Sequence, residues 1–369
     1  MRIMLLHFKF GNVIIEKRDK EDKSLRIDEL PKLNVEGDWQ KKRAQIQALL
    51  AQEEYGKIPP ALAFTVKDFK SERFFAGKGF LERVELSFQN GEEEFSFPVQ
   101  ICYPEKREEK IPFFVFLDFS DAVPSKYFPA EEILDEGFGI ARIFYQDVSK
   151  DANEFGEGLE RLFLKGERTE QTFGKISLWA WAASRLLDYL LTRDLADEEK
   201  IGVIGHSRLG KTALWAAAND TRFTHVFSNH SGCSGAAISR GTTGETVEVI
   251  SRVFPHWFCK NYRKYANAES EMPFDQHFLL SLIAPRVLAV GAAKEDAWAD
   301  TYNQYLACKA ALPAWERYGL GGGFFDETPQ TGKQYGADGV YFREREGTHY
   351  LSRQDWHYYM EILRFDGKE

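Results

Sequence analysis

Between about residues 62 and 104, apolar and polar positions alternate. Leu81, Val84, Leu86 and Phe88 are followed, across Gln89-Asn90-Gly91, by Phe95, Phe97, Val99 and Ile101. Period-two alternation interrupted by an Asn-Gly pair predicts an antiparallel hairpin. The pattern then changes. Pro112–Leu117 and Gly139–Phe144 are short unbroken apolar runs, as are Lys200–Ile204, Phe223–Phe227, Arg286–Val290 and Val340–Phe342. Such runs suit strands buried on both faces. Helices are predicted over Ile176–Leu191, Leu209–Ala218 and Ser352–Leu363. An antiparallel start followed by strand–helix alternation predicts an α/β fold. It is a three-layer sandwich with a mostly parallel central sheet and an antiparallel N-terminal edge. Residues 1–55 are charged, carry one expected helix over Asp38–Glu53, and read as an N-terminal extension. Residues 56–369 read as a single domain. Gly319–Gly323 reads as a flexible surface loop.

Composition narrows the function classes. With 43% hydrophobic and 14% aromatic residues, the chain has ample material for a core, which excludes disorder as its main state. A formal net charge of −9 argues against sequence-independent nucleic-acid binding, which needs a basic surface. Four cysteines are too few for a disulfide scaffold, and Cys233 and Cys259 are read as free buried thiols. No apolar run reaches the ~18 residues of a membrane span, so no membrane partner is expected. The N-terminal apolar run is broken by His7 and Lys9 and does not read as a leader, which gives a cytoplasmic expectation. The histidines lack metal-ligand spacing, so neither a metal nor a cofactor is expected.

The candidate chemistry lies in Gly205-His-Ser-Arg-Leu-Gly-Lys-Thr212, between an expected strand and an expected helix. Two readings compete. The segment satisfies G-x-x-x-x-G-K-[ST], a P-loop in which Lys211 and Thr212 would serve phosphate and Mg²⁺. It also suits a nucleophile elbow, in which a sharp strand-to-helix turn presents the Ser207 hydroxyl. The elbow's usual second glycine is one place late, at Gly210. A P-loop needs a second apolar strand ending in Asp, and the two strand candidates that follow, Phe223–Ser228 and Val287–Ala292, end without one. The elbow needs an acid and then a histidine downstream. Asp296 and His349 both follow apolar strands, in that order, where the carboxyl ends of a parallel sheet converge. The rest of the chain therefore favours the elbow.

Gly205-His-Ser-Arg-Leu-Gly-Lys211 resembles the G-x-S-R-x-G-K signature of the glucuronoyl esterases, carbohydrate esterase family 15, in which the second glycine is shifted in the same way. The resemblance continues through Ser228–Cys233, Gly244–Thr246, Phe254–Cys259, Pro273–His277, Leu282–Arg286 and Asp296–Asp300. It implies an α/β-hydrolase fold and cleavage of esters of (4-O-methyl)glucuronic acid by a Ser-His-Asp acyl-enzyme mechanism. By resemblance, Ser207 is the nucleophile, His349 the general base and Arg208 the oxyanion group. Lys211, Glu245 and Trp298 match positions that contact the sugar. Family members place the acid either at the position of Asp296 or just before Ser231-Gly232. His230 occupies the second position, so Asp296 is expected to carry the role alone, with Asp300 as the fallback. The implied partner is a small-molecule or oligosaccharide uronate ester. Three alternatives stay open at this point: an acetyl (xylan) esterase or other small-ester carboxylesterase, a P-loop NTPase, and a non-catalytic sugar-binding relative.

Overall fold

The computed structural model describes residues 26–107 and 109–365, together with a short antiparallel strand pair at Lys9–Phe10 and Val13–Ile14. One sheet holds ten strands: β1 (Phe64–Phe74), β2 (Gly79–Asn90), β3 (Glu93–Pro104), β4 (Ile111–Asp118), β5 (Gly139–Phe144), β6 (Ala196–His206), β7 (His225–Asn229), β8 (Val287–Ala293), β9 (Gln334–Ala337) and β10 (Val340–Arg345). Their spatial order is β9-β10-β8-β7-β6-β4-β5-β3-β2-β1. The strands from β10 through β5 pair in parallel. β1, β2 and β3 form the antiparallel N-terminal edge, and β9 closes the other end antiparallel to β10. This is the α/β-hydrolase arrangement expected from the sequence.

Alternation explains why the parallel strands are apolar throughout. Along β4, Phe113, Val115 and Leu117 enter one core, and Phe114 and Phe116 enter the other. A side chain period of two sends neighbours to opposite faces, and both faces are covered. The larger core takes α2 (Lys175–Leu191) and α3 (Arg208–Asn219), and the smaller takes α5 (Arg353–Arg364). A further helix, α4 (Thr301–Ala311), escapes the sequence pattern. Its residues Asn303–Cys308 are all buried, so no polar stripe marks its period.

Residues set apart in the sequence as an extension contribute to the larger core. Trp39, Ile46 and Leu50 of α1 (Trp39–Leu50) belong to it, as does Tyr55, which stacks on Trp215 with ring centroids 4.6 Å apart. The glycine loop is more constrained than expected. Gly323 sits at φ 78°, and a Cβ there would come within 2.8 Å of the Gly336 backbone in β9. All four cysteines are free and buried. Among the described residues, no helix is long and apolar enough to cross a membrane.

Candidate active site

β6 ends at His206 and α3 begins at Arg208, so Ser207 alone makes the turn. Its backbone sits at φ 56°, ψ −125°, a conformation that costs a non-glycine residue about 1–3 kcal/mol. The surroundings enforce it. Ser207 N–H donates to Asn229 O at 2.8 Å, and the amides of Gly210 and Lys211 reach back to Ser207 O at 2.9 and 3.2 Å. The two glycines mark where chain crosses chain. A Cβ on Gly205 would lie 2.1 Å from Leu209 O, and one on Gly210 would lie 3.1 Å from Gly205 O and from Ser231 Cβ. The late second glycine is therefore placed by helix packing, not by the turn. Ser207 stands at the N-cap position of α3 but makes no side-chain capping bond, which leaves its hydroxyl uncommitted to the helix.

This geometry removes the P-loop reading. A phosphate cradle needs a loop of successive outward amides, and here the link is a single residue. Thr212 is fully buried and donates to Arg208 O at 3.0 Å. The buried Lys211 ammonium donates to Ser231 O.

The parallel strands bring the remaining candidates to the same sheet edge. His230 follows β7, Asp296 follows β8, and His349 follows β10, three strands adjacent in order to β6. Asp296 Oδ2 lies 2.7 Å from His349 Nδ1 and 2.7 Å from His230 Nδ1. Burial pushes the Asp296 carboxyl up, but the hydrogen bonds from the two histidines outweigh it and hold it well below the usual carboxylate range. Burial pushes His230 down, with Asp296 opposing. His206, also buried, is pushed well down by burial and by His349 and His230. Its Nδ1 lies 2.6 Å from Asn229 Oδ1, and its ring centroid is 4.5 Å from that of His349. Among the described residues, His230, Asp296 and His349 are also the one group able to converge on a metal, within 4.8 Å of one another. Their mutual hydrogen bonds already account for that closeness.

Asp300, the fallback acid, is committed elsewhere. Its Oδ1 accepts from Asn303 N–H at 3.1 Å as the N-cap of α4. Its Oδ2 accepts from Thr242 Oγ1 and Thr243 N–H, both at 2.8 Å. It thereby braces the loop that carries Glu245. The Glu245 amide in turn donates to Trp298 O at 3.0 Å, and Gly244 leaves the room for this, since a Cβ there would sit 2.4 Å from that oxygen. The Glu245 carboxyl is buried and pushed up, with the charges of Lys211 and Arg208 opposing. Lys211 is pushed down by burial, with Glu245 opposing. Trp298 is half-buried.

Arg208 leads to residues the sequence did not single out. Its guanidinium lies 4.7 Å over the Trp257 ring and pairs with the Asp151 carboxylate. Asp151 also accepts from His256 Nε2 at 2.8 Å, Trp257 Nε1 at 2.6 Å and Tyr145 OH at 3.0 Å. Burial pushes Asp151 up, but these donors and the Arg208 charge hold it well below its usual range. The Phe254–Cys259 segment was visible as part of the resemblance but without a role, and nothing local marks Asp151. The loop after β4 is held by a buried cation. Buried Arg142 pairs with Asp118 at 3.1 Å and donates to the Ser120 and Ala122 carbonyls.

The family model described as "Glucuronyl esterase, fungi" matches residues 86–319. The chain is 32% identical over 397 aligned positions to "Carbohydrate esterase MZ0003" from an unknown prokaryotic organism, over 96% of this chain and 91% of that one. The glucuronoyl esterase structure from Solibacter usitatus is similar with a TM-score of 0.79 and 33% identity, over 88% of this chain and 92% of that one. A more distant structure shares the fold at a TM-score of 0.63 and 21% identity, over 89% of this chain and 83% of that one. It is a Sporotrichum thermophile glucuronoyl esterase variant in complex with methyl 4-O-methyl-β-D-glucopyranuronate.

Proposed function

Because the chain belongs to the glucuronoyl esterases of carbohydrate esterase family 15 and is a carboxylic ester hydrolase of that type, we propose that Ser207, His349 and Asp296 hydrolyse esters of (4-O-methyl)glucuronic acid through an acyl-enzyme. The observation that carries this reading is the 2.7 Å contact of His349 Nδ1 with the Asp296 carboxylate, set at the same sheet edge as the strained Ser207 turn. An acceptor that tight fixes the imidazole with its proton on Nδ1 and leaves Nε2 as the basic nitrogen.

In this mechanism Ser207 Oγ attacks the ester carbonyl as its proton passes to His349. The carbonyl oxygen becomes an oxyanion, which the Arg208 guanidinium and the first amides of α3 stabilise. Those amides precede the first intrahelical bonds, which begin at Gly210. The tetrahedral intermediate collapses, the ester C–O bond breaks, and His349 gives its proton to the departing alcohol. Water then attacks the acyl-enzyme by the same route and releases the uronic acid. Asp296 stabilises the imidazolium at each stage without taking its proton. Asp151 keeps Arg208 in place.

Lys211 supplies a buried donor and Glu245 a buried carboxyl suited to sugar hydroxyls, and Trp298 offers an aromatic face for the ring. The ligand in the Sporotrichum thermophile relative is a uronate ester of this class. The test is a substrate panel of methyl and benzyl glucuronate against acetylated sugars, run on the wild type and Lys211→Met. The expected result is a wild-type preference for the uronate esters. The variant should lose at least about 10-fold more kcat/KM on them than on acetyl esters, as expected when a buried hydrogen-bonding group is removed. Equal losses on both classes would reject Lys211 as a reader of the sugar.

A further inference from the structure

Arg345 is the last residue of β10 and is buried, 6% exposed. Its Nε donates to both carboxylate oxygens of Asp355, at 3.0 and 2.9 Å. Asp355 belongs to the capping box that starts α5 with Ser352. Arg345 Nη1 donates to Glu346 O at 2.9 Å. Arg345 Nη2 donates to Thr348 O at 3.2 Å and Tyr350 O at 2.5 Å, the two carbonyls that flank His349. The same Nη2 lies 3.4 Å from His230 Nε2.

Two constraints then act on one ring. A guanidinium nitrogen is only a donor, so the His230 nitrogen facing it must carry the lone pair. A carboxylate is only an acceptor, so the His230 nitrogen facing Asp296 must carry the proton. Both demand the same species, neutral His230 with its proton on Nδ1. The groups facing His230 are Asp296, His349, His206, Arg345 and, through Arg345, Asp355. None of them offers an acceptor to Nε2, and the His230 side chain is fully buried.

We propose that Arg345 and His230 are positioning residues for ester hydrolysis: Arg345 fixes the His230 tautomer, and His230 gives Asp296 Oδ2 a second hydrogen bond that sets the orientation and basicity of His349. The proposal rests on the reading of His349 as the general base. Asp296 shares its negative charge between two N–H donors, so it stabilises the His349 imidazolium less than it would with a single donor. The acid limb of kcat/KM therefore lies lower than it would without His230.

The test combines pH profiles with a direct reading of the tautomer. In His230→Asn the side-chain amide can take the place of Nδ1–H, and in His230→Ala no donor remains. His230→Asn should keep kcat within about 3-fold and leave the acid limb in place. His230→Ala should lower kcat about 10–100-fold, a typical cost for a group that orients a reacting ligand, and move the acid limb up. A fall in kcat with an unmoved limb in His230→Ala would overturn the proposal, because simple packing damage does not change the basicity of His349. Arg345→Lys keeps the charge but not the fork. It should lower kcat with KM nearly unchanged; unchanged kcat would also overturn the proposal. Nitrogen-15 NMR of the wild type should show His230 as the neutral Nδ1–H form from about pH 5 to 8, and an Nε2–H form would contradict it. The NMR reading does not depend on turnover, so it stands apart from any failure of His349 as the base, which His349→Ala tests.

Discussion

Asp296, buried, and Asp151, half-buried, are both carboxylates held below their usual range by converging donors, yet they organise opposite halves of the candidate site. Asp296 collects two imidazoles, groups that exchange protons. Asp151 collects a guanidinium, an indole, a phenol and the Nε2 of His256. The first arrangement suits a proton in transit, and the second suits a cation that must stay put. Glu54 provides a third case. It is fully buried and accepts from Gln276 Nε2 at 3.1 and 3.2 Å, with no hydrogen-bonded cation, and burial pushes its carboxyl up to about 8. Burial, with the Asp275 charge adding to it, favours the neutral acid here. Only converging donors keep one ionised, and the kind of donor decides what that charge can do.

The largest effect should come from Asp296. Asp296→Asn turns an acceptor into an amide that can favour the wrong imidazole tautomer. It should lower kcat on methyl glucuronate about 10³–10⁴-fold with folding intact. Asp151→Asn leaves the base untouched and frees Arg208, so its loss should be smaller, about 10–10³-fold, the range for a weakened oxyanion donor. If Asp151→Asn proved the more damaging of the two, the division into a proton half and a cation half would fail.

Glu54→Gln should change turnover least, and its signature is stability against pH. The folded-state value of about 8 stands above the ordinary 4.5. Between these values the native state keeps a proton that the unfolded chain has released. Stability from this group therefore falls as pH rises through that window, and the loss is complete above it. Glutamine has no such loss. The variant and the wild type should melt together near about pH 5, and the variant should melt about 2–4 °C higher near about pH 9. A difference independent of pH would show that Glu54 is not the group titrating.

The same comparison explains what was legible in the sequence. The alternation in β2 and β3 and the apolar runs of β4–β8 exposed the sheet, because each run is local and bounded. Ser207, Asp296 and His349 were readable as candidates because a parallel sheet turns chain order into spatial convergence at one edge. α4 was hidden because burial on every side erases its polar stripe. Asp151 was hidden because three of its four partners lie 57, 105 and 106 positions away, and no local pattern encodes such pairings. His230 was visible as a departure from the family's carboxylate, but its partnership with Arg345 spans 115 positions and needed the fold. The buried Arg142, which braces the loop after β4 from β5, was hidden for the same reason.

The most direct test of the central claim is turnover of benzyl glucuronate by the wild type and Ser207→Ala, with intact mass recorded after treatment with a fluorophosphonate. The account predicts that the wild type hydrolyses the ester and gains a single adduct on Ser207. The folded variant should show no turnover above background and no adduct. Turnover retained by Ser207→Ala, or an adduct on another residue that abolishes wild-type activity, would contradict it.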